Sequence, residues 1–256
     1  FLHILHMRHG KKKRTGKEEN KMETAFMTVK NLNAWYDREK MILSDFSLEL
    51  NEHEAVGLIG MNGAGKTTLF KVLSGLLTTF HSDGILLYGC SVKPRERDFK
   101  LCRYTVFAED DSFSYFTFWE YLSYVFSAYR KEVPDVSELI QGFRFEDYGD
   151  TLLKDLSTGN RKKAFLITAF ALKPKLLFLD EPVNGLDFQS TEYLYQQIAG
   201  YKEQGTVLFS SHILESITLT SDRVFVLENG KIRQTFEQGE TDALDIREAL
   251  RYENDK

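Results

Sequence analysis

Cysteine and proline are scarce in this sequence, whose 256 residues include two cysteines and four prolines. The spacing of Cys90 and Cys102 matches neither a metal site nor a disulfide framework, which favours a reducing compartment. We find no Pro-rich linker, internal repeat or low-complexity segment that would divide the chain. Apolar runs are also short. None approaches the roughly 20 residues of a membrane-spanning helix, so any contact with a membrane needs a partner.

Positive charge is concentrated at the start of a chain whose formal net charge is −5. Residues 1–21 hold seven Lys or Arg against two Glu, which leaves −10 for the rest. This pattern predicts a basic, disordered tail over residues 1–24, and contact with an acidic membrane surface is the alternative. The opening FLHILH is too short for a signal peptide, so we expect Met7 to be the true start.

The hydrophobic patterns predict an α/β fold with a well-buried interior, in line with a hydrophobic content of 42%. MTVKNLNAWY and MILSDFSLEL alternate like paired antiparallel strands, and EAVGLIG is the continuous apolar run of a strand buried on both faces. Further buried-strand candidates are KLLFLD, TVLFSSH and DRVFVLENGKI, with helical stretches around 161–172 and 190–204. The sequence therefore predicts a mainly parallel sheet preceded by an antiparallel β subdomain.

Residues 112–155 depart from this pattern because they are rich in aromatic residues at helical spacing, Trp119 among them. No run typical of a strand interrupts them. We predict an inserted helical subdomain at about 112–172. It lies inside one domain over residues 25–238, which a helical tail at 239–256 follows.

A phosphate-binding loop is indicated by GMNGAGKT, which follows a buried strand and precedes a helix. Its glycines let the backbone turn so that exposed N–H groups form a nest for phosphate oxygens. Lys66 is placed to bridge the β and γ phosphates, and Thr67 to offer its hydroxyl to Mg²⁺. A glycine turn without a ligand is the alternative, which these offsets disfavour. The candidate nucleotide-binding residues of the loop are Gly60, Met61, Asn62, Gly63, Ala64, Gly65, Lys66, Thr67 and Thr68.

Two carboxylates follow the apolar strand in LLFLDEP, at the strand end where α/β sheets place ligands. Adjacent residues of a strand point to opposite sides, so Asp180 can hold Mg²⁺ while Glu181 faces a water in line with the γ phosphate. The alternative is a strand that ends in solvated carboxylates. His212, at the end of TVLFSSH, meets the same sheet edge, where a histidine taken alone is a capping or core residue.

A second anion-binding candidate is LSTGNRKKAF, residues 156–165, in which a serine, a threonine and a glycine open a predicted helix. The free N–H groups of a helix N-terminus favour an anion, and Ser157 can cap them or add its own hydroxyl. The stretch holds no acid or histidine that could act as a base. It therefore predicts anion binding without chemistry of its own.

With GMNGAGKT, LSTGN, LLFLDEP, VNGLD and SSH in this chain order, the sequence resembles the ATP-binding subunits of ABC transporters from about Met27 to Lys231. The resemblance implies a P-loop NTPase core and two subunits that sandwich two ATP molecules head to tail. The signature loop, here Ser157, Thr158 and Gly159, would then contact the γ phosphate of ATP that the second copy holds.

The same resemblance assigns further roles. It makes Glu181 the catalytic base beside Lys66, makes His212 the switch histidine, and gives Asn184 to Asp187 a part in cross-talk between the two sites. An aromatic residue that stacks on adenine is also implied. Tyr36 lies near that position, but its neighbour Trp35 is aromatic too. The spacing does not choose between the two, and strand-end packing in the core is the alternative for both.

Three positions depart from the family pattern. The signature reads LSTGN rather than LSGGQ, which keeps Ser157 and Gly159, so we expect phosphate binding to survive. Phe188 stands where proline is frequent, a change that we expect to be harmless. TVFAEDDSF lacks the glutamine with which the family reaches Mg²⁺ and senses the membrane partner. Glu109 is the best substitute as a metal ligand, and an exposed loop acid is the alternative.

Three functional classes carry such motifs: transporter motors, soluble ATPases of translation, and ATPases of DNA repair or chromosomes. The repair type inserts a long coiled coil between its nucleotide motifs, and no heptad run lies between Lys66 and Asp180. The translation type carries two such domains, whereas we expect one here. The acidic core argues against a nucleic-acid partner. We therefore predict the ATP-hydrolysing motor subunit of a membrane transporter, with a soluble non-transport ATPase as the alternative.

The predicted partners are a second copy of the chain and a separate transmembrane permease, which would hold the subunit at the cytoplasmic face of the membrane. Export is favoured because NGAGKTT, LSTGNRKK and EPVNGLD resemble bacterial exporters of drugs, antimicrobial peptides and lantibiotics. Aromatic residues are frequent at interface hot spots, so we predict that exposed aromatics of the helical subdomain dock a permease helix. Core packing is the alternative for each of them. They are Phe113, Tyr115, Phe116, Phe118, Trp119 and Tyr121.

Overall fold

The structure is a computed structural model that describes residues 25–37, 40–212, 217–218 and 220–237. The predicted basic tail at 1–24 and the predicted helical tail at 239–256 lie outside these residues. Within the described residues, no helix combines the length and the apolar character needed to cross a membrane.

The described residues form eleven strands, six α-helices and three short 3₁₀ helices. The strands are β1 (Met27–Asp37), β2 (Lys40–Leu50), β3 (Ala55–Ile59), β4 (Phe80–His81), β5 (Gly84–Leu87), β6 (Cys90–Ser91), β7 (Arg103–Val106), β8 (Leu176–Leu179), β9 (Thr206–Ser211), β10 (Arg223–Glu228) and β11 (Lys231–Phe236). The α-helices are α1 (Lys66–Ser74), α2 (Arg97–Cys102), α3 (Phe118–Ala128), α4 (Ser137–Gly142), α5 (Thr158–Leu172) and α6 (Phe188–Gly200). The 3₁₀ helices cover Glu146–Tyr148, Leu153–Asp155 and Tyr201–Glu203.

The first sheet is antiparallel and centred on β1, which confirms the predicted β subdomain. Alternating apolar and polar residues give β1 and β2 one buried and one more exposed face. The strands of this sheet lie in the order β2-β1-β5-β6, and β4 also pairs with β1. The buried face of this sheet packs in one hydrophobic cluster with α1, through residues such as Leu32, Phe46 and Phe70.

The second sheet has six strands in the order β11-β10-β3-β9-β8-β7. All neighbours are parallel except β10 and β11, so the predicted mainly parallel sheet is confirmed. Every residue of β3, β8 and β9 is buried, as the continuous apolar runs predicted. Parallel pairing brings the carboxyl ends of these three strands to one edge, where the predicted site residues follow them.

Helices α3 and α4 form the predicted insertion between β7 and α5. A capping box starts α3: the hydroxyl of Thr117 accepts the N–H of Glu120 at 3.3 Å, and the Glu120 carboxylate accepts the N–H of Thr117 at 2.8 Å. Phe118 and Tyr121 are buried in the core. For these two residues the predicted contact with a permease helix is therefore wrong, and the alternative of core packing holds. Tyr115, in contrast, is 76% exposed.

Candidate functional site

The phosphate loop joins β3 to α1, and its glycines are required either by the backbone conformation or by close contacts. Gly63 and Gly65 have φ angles of 86° and 113°, in the left-handed region that favours glycine. A Cβ on Gly60 would lie 2.4 Å from the carbonyl oxygen of Leu227, and one on Gly65 would lie 2.6 Å from Cδ2 of Leu43. A Cβ on Gly63 would meet no atom within 4 Å. The loop is therefore a tight turn with one open side, as a phosphate cradle requires.

The side chain of Lys66 is buried and folds back over this loop. Its Nζ donates to the carbonyl oxygens of Gly60 at 2.6 Å and Met61 at 3.4 Å, and lies 3.3 Å from Oε1 of Glu181. A phosphate oxygen is a stronger partner for an ammonium group than a neutral carbonyl. Lys66 is therefore placed to exchange these contacts for the phosphates of a nucleotide.

Asp180 follows β8, is fully buried and accepts hydrogen bonds from two hydroxyls. Thr67 Oγ1 lies 2.7 Å from Oδ2, and Ser210 Oγ lies 2.8 Å from Oδ1. Burial raises the pKa of Asp180, while the two hydroxyl donors oppose that rise. The Thr67 hydroxyl and the Asp180 carboxylate are adjacent oxygen donors, the ligand type that Mg²⁺ prefers. This donor set fits the predicted metal.

Glu181 turns away from Asp180 and takes different partners, as predicted. Its φ angle is 46°, a left-handed value that is unusual for a residue other than glycine. Its N–H donates to Ser210 Oγ at 2.9 Å, and its Oε2 lies 2.7 Å from Nδ1 of His212. The carboxylate is thus held between His212 and Lys66. Ser210, which bonds both acidic residues, was not predicted, although it lies in the TVLFSSH run.

A cavity of about 470 Å³ opens beside these groups. It is lined by Tyr36, Lys40, Ile42, Met61, Asn62, Gly63, Gly65, Lys66, Thr67, Thr68, Ala108, Glu181, Asn184 and His212. All the predicted loop residues except Gly60 and Ala64 therefore line it. Tyr36 lines the cavity and Trp35 does not, which favours Tyr36 as the aromatic residue facing a base. Lys40 was not predicted, because its place opposite Asp37 depends on the register of β1 and β2.

The predicted signature residues lie at the start of α5, outside the lining of this cavity. Ser157 is the N-cap, and its Oγ accepts the N–H of Asn160 at 3.2 Å. A Cβ on Gly159 would lie 2.1 Å from the carbonyl oxygen of Gly185. Ser157 and Thr158 are exposed, whereas Gly159 is buried. The start of α5 therefore packs directly on the loop of residues 184–187, and only Gly fits at the contact.

Asp187 joins that loop to α5 at a second point. It caps α6, since Oδ1 accepts the N–H of Ser190 at 3.0 Å and Oδ2 accepts its hydroxyl at 2.9 Å. Nζ of Lys163 lies 2.6 Å from the same Oδ2. Burial opposes ionisation of this carboxyl, but the bonds from Lys163 and Ser190 outweigh burial and lower the pKa of Asp187.

Glu109 lies outside the cavity, in an exposed loop. The neighbouring residue Ala108 lines the cavity, but Glu109 does not. The structure thus does not bring Glu109 together with Thr67 and Asp180, and its role as a metal ligand stays a prediction.

Comparisons with known proteins point to one family, described as ABC transporter, which matches residues 43–184. AlbC of Bacillus subtilis (strain 168), assigned as an ABC transporter ATP-binding protein, is 35% identical over 224 residues, or 84% of this chain and 93% of AlbC. A solved ATP-binding subunit of an ABC transporter has a TM-score of 0.75 at 26% identity, over 88% of this chain and 94% of its own. A dimeric bacterial ABC transporter cassette has a TM-score of 0.73 at 18% identity, over 82% and 98%, which is a likeness of fold.

Proposed function

The chain belongs to the ABC transporter family, as the ATP-binding subunit of a membrane transporter, and we propose that it hydrolyses ATP with Mg²⁺ to drive export, as a head-to-tail dimer. One observation carries the catalytic part of this proposal: the Glu181 carboxylate is held between Lys66 and His212 at the rim of the nucleotide-sized cavity. The Thr67 and Asp180 pair lies beside it.

Binding of ATP is assigned to the phosphate loop and to Tyr36. The loop amides and the Lys66 ammonium hold the phosphates, since together they offer several N–H donors and a charge to one anion. The exposed ring of Tyr36 lines the same cavity and would stack on adenine.

Thr67 and Asp180 would hold the metal through their oxygen atoms. When bound, Mg²⁺ neutralises charge that develops on the phosphates during their transfer. Ser210 keeps the Asp180 carboxylate oriented toward Thr67 by occupying its other oxygen. Glu109, the residue after the cavity-lining Ala108, is the proposed additional ligand.

Glu181 is the proposed general base, and His212 is the residue that orients it. The amide of Glu181 is fixed by Ser210, and its carboxylate by His212, so the group that accepts a proton from water is preorganised. His212 is about half exposed, at 49%, which leaves its ring open to the γ phosphate. The Lys66 ammonium also contacts the Glu181 carboxylate. When Lys66 turns to a bound phosphate, this contact would be lost and the carboxylate would become free to act as the base.

The dimer is proposed because Ser157, Thr158 and Gly159 do not line the cavity of their own chain. An exposed helix N-terminus with a serine hydroxyl is suited to an anion, and the partner's ATP supplies one. The loop of residues 184–187 contacts α5 and the cavity at once, since Asn184 lines the cavity and Gly185 packs on Gly159. This loop therefore connects the two sites of a head-to-tail dimer.

The permease is proposed to bind in a second groove, of about 450 Å³, beside the edge strand β7. The groove is lined by Ser74, Leu76, Arg97, Lys100, Leu101, Arg103, Tyr104, Thr105, Phe107, Ala128 and Tyr129. Leu76 is 64% exposed there, an apolar surface that a partner helix can cover. Through this partner the subunit is held at the cytoplasmic face of the membrane, and its exporter-like motifs favour outward transport.

Replacement of Glu181 tests the proposal. Glu181→Gln should bind ATP normally but lose hydrolysis by about 10²-fold or more, because an amide cannot accept the proton. Unhydrolysed ATP should keep the variant dimeric, so ATPase assays are combined with measurement of mass in solution. Glu192→Gln, at an exposed position of α6, is the matched control with unchanged turnover. Normal turnover in Glu181→Gln would contradict the assignment.

A further inference from the structure

Two neighbouring basic residues of α5 hold the loop of residues 107–111. Lys162 is 3% exposed, and its Nζ donates to the carbonyl oxygens of Phe107 and Ala108, each at 2.6 Å. Nη1 of Arg161 lies 3.2 Å from Oδ1 of Asp111. The helix that begins beside Ser157 is therefore tied to both ends of the loop.

The carbonyls that Lys162 holds lie between the two cavities of the molecule. Phe107 lines the groove beside β7, and Ala108 lines the nucleotide cavity. Lys162 thus contacts the backbone at the point where one cavity lining gives way to the other. Ser157 is the N-cap of the same helix and precedes Lys162 by little more than one helical turn.

A buried ammonium group is an unusual choice for a contact that serves packing alone. Burial lowers the pKa of Lys162 to about 8, and the carboxylates of Asp180, Asp110, Glu181 and Glu109 counteract that effect. Removing a charged group from water costs free energy unless hydrogen bonds replace the lost water. At this position the two loop carbonyls are that replacement, so the ammonium and the loop depend on each other.

We propose that Lys162, assisted by Arg161, is a positioning residue that makes the loop of residues 107–111 and the first turns of α5 move together. A permease helix in the groove would shift Phe107, and Lys162 would pass that shift to Ser157, which faces the partner's ATP. Binding of ATP would pass a shift the other way. This inference rests on the proposed function, since it needs ATP-driven dimerisation.

Hydrogen exchange of backbone amides tests the inference on the full chain. The Glu181→Gln protein, which should retain ATP, is compared with the same protein carrying Lys162→Met, Arg161→Met or Lys173→Met. Methionine keeps a flexible, unbranched side chain one atom shorter than that of lysine and carries no charge. Lys173 is the exposed residue that follows α5, which makes it the control. Exchange is recorded at residues 107–111 and 157–161, without nucleotide and with Mg²⁺ and ATP.

Without nucleotide, Lys162→Met should speed exchange in the loop by about tenfold or more, because two hydrogen bonds from a charged donor are lost. Arg161→Met should have an effect of only a few-fold, since its partner Asp111 is 84% exposed. Lys173→Met should match the parent. Loop exchange that stays unchanged in Lys162→Met would overturn the proposal that Lys162 holds the loop.

With Mg²⁺ and ATP, the parent should slow exchange at both segments together. In Lys162→Met the start of α5 should still respond, while the loop keeps its nucleotide-free rate. A loop response equal to that of the parent would overturn the proposed transmission and leave the proposed function intact. If neither segment of the parent responds, the proposed ATP-driven dimerisation is wrong and the proposed transmission is wrong with it. The nucleotide-free comparison still decides whether Lys162 holds the loop. Should Lys162→Met not fold, Lys162→Gln replaces it in the same comparison, because its shorter, uncharged side chain also removes the ammonium donor to the two carbonyl oxygens.

Discussion

At the scale of single residues, the site depends on neutral groups as much as on charged ones. Ser210 Oγ donates to the Asp180 carboxylate and accepts the backbone N–H of Glu181, so one hydroxyl bonds both acidic residues. The Thr67 hydroxyl also bonds Asp180, and His212, the residue after β9, contacts the Glu181 carboxylate. The two acids are adjacent in sequence, yet these partners give them separate positions and separate chemistry.

Asp187 offers a test of a single charge through the pH dependence of stability. Its lowered pKa means that the ionised form stabilises the fold fully above the unfolded value of about 3.9, and that this contribution is lost as the pH falls from there through the lower folded pKa. Asp187→Asn keeps the cap on Ser190. It should lower the free energy of unfolding by about 1 kcal/mol or less at pH 7, because the side chain is 44% exposed.

Urea denaturation of Asp187→Asn and the parent at pH 7 and near pH 2 measures this difference. The gap between the two proteins should narrow at the lower pH, and Glu192→Gln should show no gap at pH 7. A gap of the same size at both pH values would show that the ion pair with Lys163 does not contribute.

Motif residues could be predicted from the sequence because their chemistry fixes their spacing. Thr67 meets Asp180 and Lys66 meets Glu181, since strand, loop and helix leave few places for them. Ser210 and Lys162 could not be predicted in the same way. Their partners are 30 and 55 residues away in the chain, and only the packing of β8, β9 and α5 brings them together.

At the scale of elements, the contact between α5 and the loop of residues 184–187 is the tightest feature near the site. The N-terminal turn of α5 approaches the loop backbone closely at Gly159 and Gly185, and Lys163 reaches Asp187 one turn later. A shift of α5 must therefore move the loop as well. This makes the signature and the loop one structural unit.

Gly159→Ala tests that contact. Alanine usually stabilises a helix relative to glycine, but here its Cβ would lie 2.1 Å from a backbone oxygen, so we expect a loss of about 1–3 kcal/mol in the free energy of unfolding. Gly200→Ala, at the end of α6, is the control because an added Cβ meets no atom within 4 Å. It should be neutral or slightly stabilising. Equal effects in denaturant titrations would contradict the close packing.

The long elements could be predicted, whereas the short ones could not. The eleven-residue strands β1 and β2 show their alternation over enough positions to be read directly. Strands β4 and β6 have two residues each and exist only through pairing with β1 and β5, which no local pattern encodes. The aromatic insertion was predicted as helical, but its buried and exposed members were not separable, because all of them are apolar and closely spaced.

At the scale of the whole molecule, one chain holds two candidate phosphate-binding parts that do not meet. Glu181 and most of the phosphate loop line one cavity, while the start of α5 lies outside it. The proposed head-to-tail pair of chains would bring each part to its complement by a twofold operation. We therefore propose that each working site uses Lys66 of one chain and Ser157 of the other.

Mixing two inactive variants tests this claim most directly. Lys66→Ala disables the phosphate loop and Ser157→Arg disables the signature, so either protein alone should lack dimer-dependent ATPase activity. In a mixed dimer, one site combines the intact loop of one chain with the intact signature of the other. An equal mixture should then recover up to about a quarter of wild-type turnover, because half of the dimers are mixed and one site in each is intact. A mixture as inactive as its components would show that each chain uses its own signature, and would contradict the account.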